Sequence, residues 1–127
     1  MNKQKPVGPE GEKGVIINVG SVAAWEAQRG QVAYGASKGA VSGFTLPMAR
    51  DLGKLGIRVV TVSPGIFETP MGEKMPEKVQ TALNKDTPMG RPGRPWEFAH
   101  FVQTCIENSY LNGVSLRIDG AIKLGNL

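Results

Sequence analysis

The chain has 127 residues, with 15 Lys and Arg against 11 Asp and Glu, giving a formal net charge of +4. That length suits one domain, and a composition 40% hydrophobic and 20% charged excludes disordered and collagen-like chains. A single cysteine (Cys105) and a single histidine (His100) exclude an internal disulfide framework and a Cys/His zinc site, so no metal centre is expected. No apolar run nears the roughly 20 residues of a membrane-spanning helix. The cations are scattered among acids rather than gathered in a stripe, so the charge balance does not point to direct nucleic-acid binding.

In chain order, residues 1–13 hold Pro6, Gly8, Pro9 and Gly11 and read as a loop. They carry Glu10 and Glu12 and no apolar core, unlike a signal or transit peptide. Gly14–Val19 is a β-branched run that suits a strand buried in a parallel sheet. From about Gln31 to Leu55, Ala33, Ala36, Ala40, Val41, Phe44, Met48 and Leu52 recur at helical spacing. Gly56 is a natural stop for that helix, and Pro47 inside it predicts a bend near 43–47. Ile57–Val62 is a second apolar strand. Residues 66–94 are irregular and rich in Pro, Gly and Met, with a short helix expected near Glu77–Leu83. Met71, Met75 and Met89 suit either an adaptable apolar pocket or core filling. Pro95 opens another helix with apolar positions at Phe98, Phe101, Val102, Cys105 and Ile106. On it, His100 and Cys105 read as packing residues. Val114–Ile118 alternates apolar and polar, as a strand with one wetter face does. This alternation predicts an α/β fold with a parallel sheet and right-handed crossovers.

The candidate chemistry sits at Ser21, Tyr34 and Lys38. Tyr34 and Lys38 are four apart on one predicted helix and share a face. Ser21 follows the first strand, where open α/β sheets place their ligands. A tyrosine titrates near 10, so proton transfer near neutrality needs its anion stabilised by about 3 units, or about 4 kcal/mol. A neighbouring ammonium such as Lys38 supplies that stabilisation, and a serine hydroxyl can hold a carbonyl or alcohol oxygen beside the phenol. A Tyr-x-x-x-Lys pair alone is common on helices, and no glycine-rich phosphate cradle of either standard pattern occurs in the chain. Asn18, within the first strand, reads as a structural hydrogen-bonding residue.

The surrounding residues resemble the short-chain dehydrogenase/reductase superfamily. The resemblance lies in Val15–Ser21, Tyr34-Gly35-Ala36-Ser37-Lys38, Ser63-Pro64-Gly65 followed by Thr69, Arg91–Glu97, and Asn112-Gly113 through Asp119-Gly120. It covers the chain from Gly14 to Leu127. Finer segments, GQVAYGASKG at 30–39, GIRVVTVSPGIFETP at 56–70 and LNGVSLRIDGAI at 111–122, are similar to the type-2 3-hydroxyacyl-CoA dehydrogenases, also described as type-10 17β-hydroxysteroid dehydrogenases. Val60 stands where many members of the superfamily carry Asn.

The resemblance implies NAD as cofactor and Ser21, Tyr34 and Lys38 as catalytic residues. Tyr34 would be the proton donor and acceptor, Lys38 would lower its pKa and hold the nicotinamide ribose, and Ser21 would orient the substrate oxygen. Pro64, Gly65, Phe67 and Thr69 would line the nicotinamide side. Gln28 and Gln31 would be either substrate contacts or solvent-facing loop residues. The implied substrates are 3-hydroxyacyl-CoA, hydroxysteroids or similar lipids. The implied assembly is a homo-oligomer, a tetramer in the full-length family, mitochondrial in a eukaryote and otherwise cytoplasmic. The implied fold is the C-terminal half of a Rossmann-like, doubly wound parallel sheet of three strands with flanking helices. The nucleotide-binding half is expected to be absent, so that the polypeptide alone should bind NAD(H) poorly and expose an apolar edge at Val15–Val19. The alternative is a non-catalytic interaction module that docks on full-length dehydrogenase subunits.

Overall fold

A computed structural model of the chain describes residues 1–70 and 74–124. The elements run β1 (Gly14–Val19), α1 (Ala23–Glu26), α2 (Val32–Gly53), β2 (Ile57–Pro64), α3 (Glu77–Asp86), α4 (Pro95–Glu107) and β3 (Val114–Ile118). The strands form one parallel sheet in the order β1-β2-β3. Ile17 is in register with Val60, and Val62 with Leu116. The expected α/β class is therefore found: an open sheet of three parallel strands flanked by helices. β2 is buried from Ile57 to Ser63, whereas β1 and β3 are mostly half-buried. That gradient follows from position, because only the central strand has a hydrogen-bonded neighbour on both sides.

The two sheet faces differ in chemistry. One is apolar: Val60 and Val62 pack with Cys105 of α4, joined by Ile17, Phe98, Phe101, Val102, Leu116 and Ile118. The other, under α2, is lined with hydroxyls. Thr45 and Thr61 share a hydrogen bond of 2.6 Å, and Ser115 lies 3.2 Å from both Ser42 and Ser63. Thr45 also donates to the Val41 carbonyl. The face that α2 buries is consequently Gly35, Lys38, Ser42, Thr45, Ala49 and Leu52 at spacings of three and four, while Ala33, Ala36, Ala40 and Phe44 are exposed. Of the residues read at helical spacing, Val41, Met48 and Leu52 are half-buried and the other four exposed, because the helix turns its hydroxyls and small residues toward partners on the sheet. On the polar side of β3, Ser115 is hydrogen-bonded to Ser42 of α2, while Arg117 is the one exposed residue of the strand, as a wetter face predicts.

The expected boundaries are largely met. α2 stays helical across Pro47, and Gly56, at φ +71°, ends the following turn as anticipated. α3 starts at Glu77 and runs three residues beyond the expected Leu83. α4 starts at Pro95, with the Glu97 carboxylate accepting the Arg94 N–H at 2.6 Å. Two expectations on α4 fail. Ile106 is half exposed and His100 lies on the solvent side, so only Cys105 of the His100–Cys105 pair packs in the core. Burial raises the Cys105 thiol pKa, opposed in part by the nearby Arg58 charge.

Residues 1–13 are turns with one isolated antiparallel bridge, Val7 to Glu12. They are tied to the sheet by Arg58, whose side chain is 7% exposed. Its guanidinium donates to both Glu12 carboxylate oxygens (2.9 and 3.0 Å) and to the carbonyls of Cys105, Ile106 and Leu111 (2.9, 2.7 and 2.9 Å). All five donors of the fork are engaged. They cap carbonyls at the end of α4, which lack intrahelical partners. At Asn18 the enclosed amide nitrogen has no acceptor among the described residues.

Candidate active site

Ser21, Lys38 and the residues from Pro64 onward lie at the C-terminal ends of β1 and β2. After β1 the chain stays beside β2, with Gly20 N–H donating to Val62 (2.8 Å) and Val22 N–H to Pro64 (3.1 Å). Only glycine fits at position 20, because a Cβ there would lie 2.5 Å from Ser63 Oγ. Ser21 is buried between these two bonds, and its Oγ accepts the Ala23 N–H at 3.1 Å. That geometry engages an acceptor lone pair of the hydroxyl and leaves its proton to be given elsewhere.

Tyr34 and Lys38 share a face of α2 as expected. The Lys38 ammonium lies 5.8 Å from the Tyr34 ring centroid and donates to the Val19 carbonyl, the last of β1, at 3.0 Å. Tyr34 is 46% exposed. In the turn before α2, Gln28 N–H donates to Gln31 Oε1 (3.0 Å) and Gln31 N–H to Gln28 O (3.1 Å). The Gln31 amide oxygen thus holds the turn.

The four residues assigned to the nicotinamide side meet at one cavity. Pro64, Gly65, Phe67 and Thr69 line a space of about 650 Å³ together with Ile66, Met75, Pro95 and Phe98. Phe67 meets Phe98 edge to face at 5.6 Å. A Cβ on Gly65 would fall 2.8 Å from that of Asp119, so the turn after β2 packs against the turn after β3. Ser21, Tyr34, Lys38, Gln28 and Gln31 are not among the lining residues; the Ser21 turn adjoins them through the Val22–Pro64 bond. Met75 takes the pocket reading and Met89 is mostly exposed, while Met71 lies outside the described residues.

Sequence reasoning missed Ile66, Pro95 and Phe98 as cavity residues. The spacing of Pro95 and Phe98, three apart at the start of one helix, was a usable signal. It also missed an ionic cluster beside Ser21. Glu26 accepts from Arg117 Nη1 (2.8 Å), Lys123 Nζ (3.3 Å) and the Leu124 N–H (3.3 Å). Its carboxyl is held down to about 2, first by Arg117, against the opposing effect of burial. Arg117 also bonds Asp119 (2.5 Å) and the Ile122 carbonyl (3.3 Å) and stands 5.8 Å from the Trp25 ring centroid. No local sequence signal joins residues 91 positions apart. Among the described residues, no helix is long and apolar enough to cross a membrane, and no group of three His, Cys, Asp or Glu side chains is placed to hold a metal.

A family model described as Enoyl-(Acyl carrier protein) reductase matches residues 1–122. The chain is 56% identical over 115 residues to 3-hydroxyacyl-CoA dehydrogenase type-2 of Mus musculus, covering 90% of this chain and 44% of that protein. It is 55% identical over 115 residues to the Homo sapiens protein of the same name, with the same coverage. A crystal structure of 3-hydroxyacyl-CoA dehydrogenase type-2 from Mycobacterium avium superposes with a TM-score of 0.93 at 37% identity, covering 99% of this chain and 49% of that one. The chain thus spans a little under half the length of these relatives. The family match over nearly all of its length, with the parallel sheet and flanking helices, shows that the chain belongs to the short-chain dehydrogenase/reductase superfamily.

Proposed function

We propose that these residues form the proton-transfer side of an NAD(H)-dependent dehydrogenase site. The site acts on the secondary alcohol or ketone of 3-hydroxyacyl-CoA, a hydroxysteroid or a similar lipid. The observation that carries this reading is the seating of Lys38 between the Tyr34 ring and the Val19 carbonyl, next to the Ser21 turn. In the direction of oxidation, the Ser21 O–H donates to the substrate oxygen and holds it. The phenolate oxygen of Tyr34 takes the hydroxyl proton as the carbonyl forms. Lys38 would favour negative charge on that oxygen by Coulomb attraction, and its remaining N–H groups would hold the ribose of a bound cofactor. A nicotinamide held there would supply the hydride chemistry, as acceptor in oxidation and donor in reduction. The residues present suit its nicotinamide end: Pro64, Gly65 and Phe67 offer an apolar wall and Thr69 a hydroxyl on the same cavity.

The apolar lining from Ile66, Phe67, Met75 and Phe98 favours a hydrophobic substrate over a small sugar alcohol. Gln28 remains a candidate substrate contact, whereas Gln31 acts by shaping the turn. Homo-oligomeric assembly and, in a eukaryote, a mitochondrial site of action belong to the same reading. The test is Tyr34→Phe in the longest natural polypeptide that contains these residues, assayed for NAD reduction with 3-hydroxybutyryl-CoA. Turnover should fall by at least about 1,000-fold with NADH affinity within about twofold. Turnover within a few fold of the parent would remove Tyr34 from the role.

A further inference from the structure

One charged pair joins the element after β1 to the end of β3. β1 exits into the Ser21 turn and α1, which ends at Glu26. β2 exits into Pro64-Gly65, and β3 exits at Ile118 into residues 119–124. Arg117, the penultimate residue of β3, reaches α1 and the turn after β3. It bonds Glu26 of α1, Asp119 of its own turn and the carbonyl of Ile122. Ile122 is fully buried, and its methyl group and Asp119 are the atoms that deny Gly65 a side chain. The 119–124 turn is over-determined: Ala121 holds φ +64°, with its N–H on Asp119 Oδ1 at 2.9 Å. Such a backbone persists only where the surroundings enforce it. Glu26, 19% exposed, and Arg117, 30% exposed, retain partial shelter from water. α1 is a single short helix of four residues; its start is anchored by buried Val22 and Ala23 and by the Ser21 Oγ bond to the Ala23 N–H, while its end at Glu26 is held by Arg117 and residues 123–124.

We propose that Glu26 and Arg117 are positioning residues that lock the end of α1, and through it the Ser21 turn, to the end of β3. Neither touches the reacting atoms. The pair acts through Ser21, keeping its hydroxyl on the Ala23 N–H and its proton aimed at the substrate oxygen. This role rests on the function proposed above, but its structural half can be read without turnover.

The first measurement is amide hydrogen exchange on the 127-residue chain for the parent, Arg117→Met, Arg117→Lys and Glu26→Gln. Arg117→Met should speed exchange at Gly20, Val22 and Ala23 by about tenfold or more while Val59–Val62 keep the parent rates. Arg117→Lys retains charge but lacks the fork that reaches three partners at once, so it should recover only part of the protection. Glu26→Gln keeps the shape and loses the charge, and it gives the answer if Arg117→Met fails to fold. The second measurement is NAD reduction with 3-hydroxybutyryl-CoA in the longest natural polypeptide. There Glu26→Gln should lower kcat about tenfold and leave KM for NAD within about twofold, the signature of a misplaced group rather than lost binding. Exchange confined to residues 119–124, with the Ser21 turn unchanged, overturns the proposal and makes the pair a tail clasp. Loosening of the Ser21 turn in a parent that shows no turnover supports the lock and refutes the functional reading instead.

Discussion

Arg58→Met removes five hydrogen bonds at once and separates their two classes of acceptor. Three are main-chain carbonyls, those of Cys105 and Ile106 at the end of α4 and of Leu111 beyond it; the fourth partner, Glu12, takes the other two bonds. Stranding the carbonyls costs about 1 kcal/mol each. The Glu12 side chain is 23% exposed and can turn to water, so its loss adds less than about 1 kcal/mol. The total is about 3–4 kcal/mol, at the low end for breaking a buried ion pair and a large share of the roughly 5–15 kcal/mol typical of a domain. With a urea slope of about 2 kcal/mol per molar, the midpoint should fall by about 1.5–2 M, followed by circular dichroism and tryptophan fluorescence. Glu12→Gln leaves the carbonyl caps in place and should cost only about 1 kcal/mol. If Arg58→Met costs no more than Glu12→Gln, the guanidinium does not cap α4 and the reasoning fails.

Thr45→Val strands the fully buried Thr61 hydroxyl and should cost about 1–3 kcal/mol, while Thr45→Val with Thr61→Val should recover part of it; additivity in urea melts would sink the pairing. Gly65→Ala should cost about 1–3 kcal/mol by overpacking against Asp119 and Ile122, and an unchanged melting temperature would contradict the close approach. Glu26 and Glu97 both have carboxyl pKa values lowered from 4.5 to about 2, first by Arg117 and by Arg91 respectively. Their stabilisation is therefore complete above about pH 4.5 and is lost as the pH falls toward 2. Urea midpoints measured from pH 6 to pH 2 should drop over that window, with a smaller drop in Glu26→Gln.

The strands, the start of α4 at Pro95 and the left-handed stop at Gly56 were legible because each is written locally. β-branched runs, a fixed proline φ and a residue without Cβ need no distant partner to be recognised. The Tyr34 and Lys38 pairing was legible for the same reason, since helical spacing alone puts them on one face. The orientation of α2 was not. Of the apolar spacing, Val41, Met48 and Leu52 are half-buried but Ala33, Ala36, Ala40 and Phe44 are exposed, because Ser42 and Thr45 turn to Ser115 and Thr61 on the sheet. Arg58 with Glu12, and Glu26 with Arg117, are likewise invisible to any window, because ion pairs between distant segments leave no periodicity. His100 and Ile106 were misplaced because apolar spacing fixes a helix face only to within about a residue on each edge.

The hydroxyl contacts under α2 work as a key in a shaft. At 3.6 residues per turn, Thr45 lies within about 20° of the azimuth of both Tyr34 and Lys38, roughly 10–16 Å along the axis. A greasy interface would let the helix roll by several degrees with little penalty, whereas the Thr45–Thr61 and Ser42–Ser115 bonds are directional and resist rotation. The bearing of Tyr34 toward the strand ends is thus dictated two to three turns away, by atoms no ligand would ever touch. Replacing these hydroxyls with alkyl groups of equal volume should preserve packing and yet spoil the aim.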